Sequence, residues 1–229
     1  MITMGESANL WFFENVDLYN VLCPHLVKDD KRHNDKKIYG KNEYVYFPNE
    51  WSDTIYLIAS GRVKIGTYTK DGNEIVKSIL GEGDLFGELA LTGEGKRTDY
   101  AQTLDEGTAI CQMDIEHLQT LMLNNKPLNL KIYKLIGLRL KKLERRIESM
   151  VFKDARTRIV EFLKDLAEEK GVKVGFETMI KNHYTHKDIA SLTGTSRQTV
   201  TTVLNELKED NVINFNRKQI LIRDVEQLV

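Results

Sequence analysis

The stretch Thr185–Lys208, THKDIASLTGTSRQTVTTVLNELK, decides the fold. It reads as two short helices joined by a tight turn. Thr185 and Asp188 stand at capping-box spacing, with Asp in place of the usual Glu or Gln. Ile189 and Ala190 give the first helix a small apolar face. Gly194 supplies a residue that tolerates positive φ where the chain must reverse. Thr195 or Ser196 then caps a second helix, in which Val200, Val203, Leu204 and Leu207 repeat at helical spacing and face inward. Arg197, Gln198, Thr201 and Thr202 are left on its outer face, near its N-terminus.

This is the pattern of a helix-turn-helix. In that motif the first helix crosses the DNA backbone and the N-terminal end of the second presents side chains to base edges. Arg pairs with guanine, Gln with adenine, and Thr methyls touch thymine. Ser196 at the helix start, and Thr185, His186 and Lys187 at the start of the first helix, join the candidate DNA contacts. A helical hairpin in an ordinary core would show the same two helices. The flank favours DNA: Val212–Phe215 and Ile220–Ile222 enclose the polar turn Asn216-Arg217-Lys218-Gln219. That is a β-hairpin with a basic tip, and beside a recognition helix it makes a winged helix with Arg217 and Lys218 facing phosphates.

Charge supports this only locally. The 229-residue chain has a net charge of −1, and its region 154–229 balances twelve basic against twelve acidic residues. DNA affinity must therefore rest on a few placed cations rather than on bulk attraction. The two cysteines, Cys23 and Cys111, show no CxxC spacing, which argues against a disulfide framework and a zinc ribbon. No apolar run approaches the ~18–20 residues of a membrane span, and the N-terminus lacks a signal-peptide pattern. These features predict a soluble, cytoplasmic protein.

Three regions separate by pattern. Up to about Lys126 the chain is strand-like and punctuated by glycine, with strands predicted at Tyr44–Phe47, Thr54–Ala59, Arg62–Tyr68, Glu74–Leu80 and Thr108–Met113, and a hairpin at Asp71-Gly72. Leu10–Leu22 is a candidate N-terminal helix. One long helix is predicted from Leu128 to Val151. On it Ile136, Leu140, Leu143, Ile147 and Met150 form a heptad stripe, flanked by basic residues; from Lys131 to Lys153 eight Lys or Arg face two Glu. The stripe suits a homodimer seam, since helix-turn-helix readers usually pair through two-fold symmetry. A helix resting on its own domain would show a similar stripe. Asp154 then caps a helix running to about Lys170, closed by Gly171.

A second informative stretch is Gly81–Thr103, GEGDLFGELALTGEGKRTDYAQT. A short helical turn, Phe86–Leu91, follows a Gly-rich loop, and Arg97-Thr98 come soon after. Exposed N–H groups at a helix start bind anions, and Arg adds a matched fork. A carboxylate nearby takes a sugar hydroxyl, so the set suits a phosphorylated ribose. A simple Glu88–Arg97 ion pair with no ligand fits the same residues.

From about residue 10 to 228 the chain resembles the Crp/Fnr family of bacterial transcription regulators. The resemblance is carried by FGELAL followed by Arg97-Thr98, by the long helix, and by the recognition-helix start Ser196-Arg197-Gln198-Thr199-Val200. It implies an α+β chain in three parts: a β-roll (a cyclic-nucleotide-binding-like jelly roll) at 1–127, a dimerisation helix and hinge at 128–153, and a winged helix-turn-helix at 154–229. It implies that Gly87, Glu88, Leu89, Ala90, Arg97 and Thr98 form a phosphate-binding cassette, with Glu88 on the ribose 2′-OH and Arg97 and Thr98 on the cyclic phosphate. The expected partners are double-stranded DNA, a second copy of the chain and RNA polymerase. The expected effector is a cyclic nucleotide or another small anion, with no metal, no other cofactor and no enzymatic activity.

Some residues depart from the family pattern. Asp99 stands where the cassette usually carries a small or apolar residue; in a strand it would share a face with Arg97 and oppose an anion. Leu143 and Glu144 stand where cAMP-responsive relatives place a Thr-Ser pair for the adenine. Both departures argue against cyclic AMP. A constitutive DNA-binding regulator with an empty pocket remains the alternative. Two cysteines do not supply the four thiolates of an iron–sulfur cluster. Cys23-Pro24-His25 could be read as a haem ligand, although a Cys before a turn is the ordinary explanation. His183 reads as a loop residue and His186 as a phosphate contact rather than as metal ligands. Gln198 and Thr202 replace the Glu and Arg common at these recognition positions, which predicts an inverted repeat unlike the cAMP-receptor consensus.

Overall fold

The computed structural model describes residues 36–93, 95–181, 184–216 and 219–228. The predicted Leu10–Leu22 helix, Cys23, His183 and the wing-tip pair Arg217 and Lys218 lie outside the described residues. The chain divides into two compact units, 1–140 and 141–229.

Among the described residues the first unit opens with eight strands: β1 (Lys36–Tyr39), β2 (Tyr44–Tyr46), β3 (Thr54–Ser60), β4 (Val63–Tyr68), β5 (Glu74–Leu80), β6 (Leu85–Phe86), β7 (Tyr100–Thr103) and β8 (Thr108–Asp114). They form two four-stranded antiparallel sheets, ordered β1-β8-β3-β6 and β2-β7-β4-β5. The five predicted strands are present with small shifts at their ends. β1, β6 and β7 were not predicted: two-to-four-residue strands are too short to show a period of two.

The burial of β3 explains the layering. Successive side chains of a strand point to opposite faces, and here both faces are covered. Tyr56 and Ile58 join Tyr39, Tyr46, Val63, Phe86 and Ile110 in a core shared by the two sheets. Ile55, Leu57 and Ala59 point the other way, onto Met113, Leu118, Leu128 and Ile132. The last three belong to α1 (Ile115–Asn124) and to the first turns of α2 (Lys126–Phe152). Each such fully buried Leu, Ile or Val contributes roughly 1.5–3 kcal/mol. Cys111 is 2% exposed in this second core and is disulfide-bonded, and its partner lies outside the described residues. The spacing of the cysteines does not announce that bond.

α2 runs for 27 residues and contains the division between the units. Leu128 and Ile132 are buried and Leu135 is half-buried against the same core, after which the apolar side chains are exposed. Ile136 is 41%, Leu140 57%, Leu143 56%, Ile147 63% and Met150 42% exposed, so within one chain the predicted stripe is uncovered.

In the second unit Asp154 caps α3 (Ala155–Lys170), its carboxylate accepting the Thr157 N–H at 2.8 Å, as its position in the sequence predicts. β9 (Val172–Val174), β10 (Glu177–Lys181), α4 (His186–Thr193), α5 (Arg197–Glu209), β11 (Ile213–Phe215) and β12 (Gln219–Ile222) follow. The β11–β12 hairpin is part of a four-stranded antiparallel sheet ordered β11-β12-β10-β9, rather than a free ribbon. Ile159, Leu163, Ile180, Ile189, Val200, Leu204, Leu207, Ile213 and Ile222 close one core beneath the helices and this sheet.

Candidate functional site

The helix pair is built as its sequence dictates. Thr185 accepts the Asp188 N–H at 3.1 Å while Asp188 accepts the Thr185 N–H at 2.9 Å, so the shorter Asp completes a reciprocal capping box. Gly194 ends α4 at φ 62°. The choice between Thr195 and Ser196 resolves to Ser196, whose hydroxyl accepts the Thr199 N–H at 3.0 Å. The Thr195 hydroxyl instead meets Thr193 at 3.0 Å. Arg158 of α3 clamps the turn, donating to the carbonyls of Thr193 at 2.8 Å and Gly194 at 3.1 Å. No sequence signal marks that arginine, because its acceptors are backbone atoms 35 and 36 residues away.

Val200, Val203, Leu204 and Leu207 are all buried, which turns the opposite side of α5 outward. Ser196, Arg197, Gln198 and Thr202 are exposed, Thr201 is half-buried, and Lys187 is exposed on α4. Asn205 extends the same exposed row, three residues after Thr202, and belongs with these candidates. The His186 ring lies between the two helices, its Nδ1 2.8 Å from the Thr201 hydroxyl. The β11–β12 turn is held by the Asn216 N–H, which donates to the Gln219 carbonyl at 3.0 Å.

The first unit brings Gly87, Glu88, Leu89, Arg97 and Thr98, but not Ala90, to the lining of one cavity of about 70 Å³. Glu88 opens a short 3₁₀ turn, Glu88–Thr92, behind Gly87 at φ 78°. A side chain at Gly87 would strike Tyr56 at 2.9 Å and the Thr54 carbonyl at 3.0 Å, so glycine is required there by both conformation and space. Leu89 is exposed, Ala90 is buried, and Thr98 is exposed at the cavity rim.

Arg97 is only 6% exposed. It donates to the Thr54 carbonyl at 2.7 Å, and its guanidinium lies 4.1 Å from the Tyr46 ring centre and 5.3 Å from that of Tyr56. Two aromatic faces thus support the buried charge. Burial, with the nearby Asp99 carboxylate adding to it, pushes the Tyr46 phenol up; burial likewise raises Tyr56, so both rings stay neutral. Asp99 does not neutralise Arg97 as strand geometry would have it. The segment before Tyr100 is not a strand, and Asp99 turns to Lys77 of β5 at 3.0 Å and the Tyr46 hydroxyl at 3.3 Å. Nor does Glu88 pair with Arg97. Its partner is Arg139 of α2, which also donates to the Leu85 carbonyl. Among the described residues no carboxylate is paired with Arg97. Ser52, which the sequence did not single out, lines the same cavity with a buried hydroxyl that has no hydrogen-bond partner among the described residues.

Residues 36–125 match the model of the cyclic nucleotide-binding domain, and residues 157–229 match the Crp-like helix-turn-helix domain. A CRP-like cAMP-activated global transcriptional regulator of Mycobacterium tuberculosis is 30% identical over 190 residues, which covers 83% of this chain and 84% of that one. The chain belongs to the Crp/Fnr family of transcriptional regulators. Its Crp/Fnr relatives include the cyclic AMP receptor protein of Thermus thermophilus, 26% identical over 90% of this chain and 92% of that one. Among solved structures, a CooA variant from Carboxydothermus hydrogenoformans superposes with a TM-score of 0.76 at 28% identity, covering 90% of this chain and 93% of that one. The c-di-GMP responsive regulator CLP of Xanthomonas campestris superposes at 0.67 with 26% identity, over 84% and 95%. As a Crp/Fnr member the chain joins transcription regulators rather than enzymes, with a nucleotide-type sensory fold and a DNA-binding helix-turn-helix. Among the described residues no helix is long and apolar enough to cross a membrane.

Proposed function

We propose that this Crp/Fnr regulator is a homodimer that reads an inverted repeat through the exposed face of α5, and that a small anion held at Arg97 adjusts its DNA affinity. The functional division is 1–127 for sensing, 128–153 for dimerisation and hinge, and 154–229 for DNA. The observation that carries the sensing role is Arg97, a guanidinium buried on two tyrosine rings, with Asp99 drawn off by Lys77 and the Ser52 hydroxyl unsatisfied beside it. A buried cation without a paired anion is costly, and an anionic ligand relieves that cost. Gly87, Glu88, Leu89, Ala90 and Thr98 are the further cassette contacts. Cyclic AMP fits poorly, because Glu88 is already bound to Arg139 and about 70 Å³ is well below the ~300–1,000 Å³ of usual ligand pockets.

That same closure favours a second reading, a constitutive regulator with an empty pocket. Selection of random duplexes by the purified full chain tests the DNA role. The expected consensus is an inverted repeat with half-site centres about one turn (~34 Å) apart, guanine read by Arg197 and adenine by Gln198. Thr185, His186, Lys187, Ser196, Thr201, Thr202 and the wing pair Arg217 and Lys218 complete the proposed contact set, and RNA polymerase is the partner the family role requires. Isothermal titration with cyclic nucleotides, including cyclic di-GMP, and with inorganic phosphate and pyrophosphate tests the pocket. The anion that binds wild type should be lost in Arg97→Ala. DNA affinity unchanged by every anion and by Arg97→Ala would establish the constitutive reading.

A further inference from the structure

We propose that His186 is a proton-operated phosphate contact: its ring is locked as the Nδ1–H tautomer by Thr201, so its Nε2 grips DNA only after taking up a proton. This rests on the DNA reading given above and adds a specific chemical step to it. Thr201 Oγ1 donates its single hydrogen to the Arg197 carbonyl, 3.0 Å away, as a helix residue bonding back one turn. With its hydrogen so placed, that hydroxyl offers lone pairs to His186 Nδ1 at 2.8 Å, and Nδ1 is assigned as the donor. A neutral imidazole carries one hydrogen, so Nε2 is left with a lone pair. Among the described residues Nε2 has no hydrogen-bond partner, and the ring is half-buried at the start of α4.

A lone pair repels a phosphate oxygen; an Nε2–H attracts it with a charge-assisted bond. The step balances simply: one proton from solvent joins Nε2, Nδ1–H stays on Thr201, and the imidazolium meets the phosphate. The surroundings keep the free ring neutral near pH 7. Burial lowers its pKa, and the Arg197 cation of α5 lowers it further. From β11 the ring faces Phe215 at 6.3 Å, whose own ring is capped by Lys208 at 5.5 Å. On its own helix Lys187 is a neighbouring cation, while Asp188 is committed to the Thr185 cap. The cations oppose protonation in the free protein, and a phosphate oxygen reverses that balance in the complex. Between the free and the bound pKa, association takes up as much as one proton per protomer, so affinity rises as pH falls through that window and is flat outside it.

The test uses the full chain and a random-sequence duplex at low salt, since a phosphate contact does not depend on sequence. Binding is followed by fluorescence anisotropy from pH 5.5 to 8.5, for wild type and for His186→Asn. Asn keeps a donor near the Nδ1 position but does not titrate. Wild type should gain up to about 10-fold in affinity per pH unit per protomer in the window. His186→Asn should lose that added slope. Imidazole proton–nitrogen NMR of the wild type should show the Nδ1–H tautomer in the free protein and a rise in the His186 pKa on adding duplex. Equal slopes in both proteins, an Nε2–H tautomer, or an unmoved pKa each overturn the proposal while leaving DNA binding intact. No duplex binding at any pH would overturn the DNA reading itself, and this step with it.

Discussion

Asp99 shows how much one side chain's direction decides. On sequence alone its carboxylate stands two residues from Arg97 and opposes any anion. In the structure it faces Lys77 and Tyr46 instead. Lys77 is thus the residue that draws the Asp99 carboxylate away from Arg97, although it lies 22 residues earlier, on β5. The expected outcome is specific. Lys77→Ala should weaken the binding of whichever anion the titrations identify, because the freed carboxylate then faces Arg97. Lys77→Ala with Asp99→Ala should restore it. A double variant as weak as the single one would show that Lys77 acts in some other way. Asp188 makes a parallel point about capping. A side chain one methylene shorter than Glu still reaches back to the N-cap N–H, so the local signal at Thr185 was sufficient.

At the scale of elements, legibility followed length and periodicity. α2, α3 and α5 were readable because apolar side chains recur every three or four residues over two turns or more, and α4 because a capping box and a turn glycine bound it. β1, β6, β7, β9 and β10 escaped because each is short, or partners a strand distant in sequence. β10 pairs with β12 about 40 residues on, which no local pattern encodes. α2 makes the sharpest element-level prediction. Its exposed row from Ile136 to Met150 has no cover in one chain, and apolar side chains at heptad spacing are the seam of a coiled coil. Replacing Leu143 with Glu would place a carboxylate in that seam. Light scattering coupled to size exclusion should report a dimer for wild type and a monomer for Leu143→Glu, with helix content by circular dichroism retained. A wild-type monomer at tens of micromolar would refute the seam.

At the scale of the whole molecule, the proposed sensing and DNA-reading sites are distinct places on one chain, and thermodynamics would link their ligands both ways. If an anion in the Arg97 cavity raises DNA affinity by some factor, saturating duplex must raise anion affinity by the same factor. The allosteric model predicts that equality, measured by titrating the anion into protein alone and into protein pre-bound to its selected duplex. Unequal factors would show that the anion also binds elsewhere. The contact between Glu88 and Arg139 would give such a coupling a physical starting point. The carboxylate of the cassette is held by the long helix itself, so a ligand that claims Glu88 must release Arg139. Equal affinity for both arrangements would shift nothing.

The sequence by itself determined the family, the order of parts and the face of α5 that is turned outward. These are local properties: a capping box, a turn glycine, a helical period and a Gly-Glu-Leu-Ala run each act within a few residues. Only the tertiary structure decided the pairing of charges. Lys77 with Asp99, Arg139 with Glu88, Arg97 on two tyrosine rings and His186 on Thr201 join residues 15 to 51 positions apart, or bring them in from different strands and helices. A side chain finds its partner through the folded backbone rather than along the chain. For that reason the outward face of α5 was visible in the sequence, while the state of the cavity beside Arg97 was not.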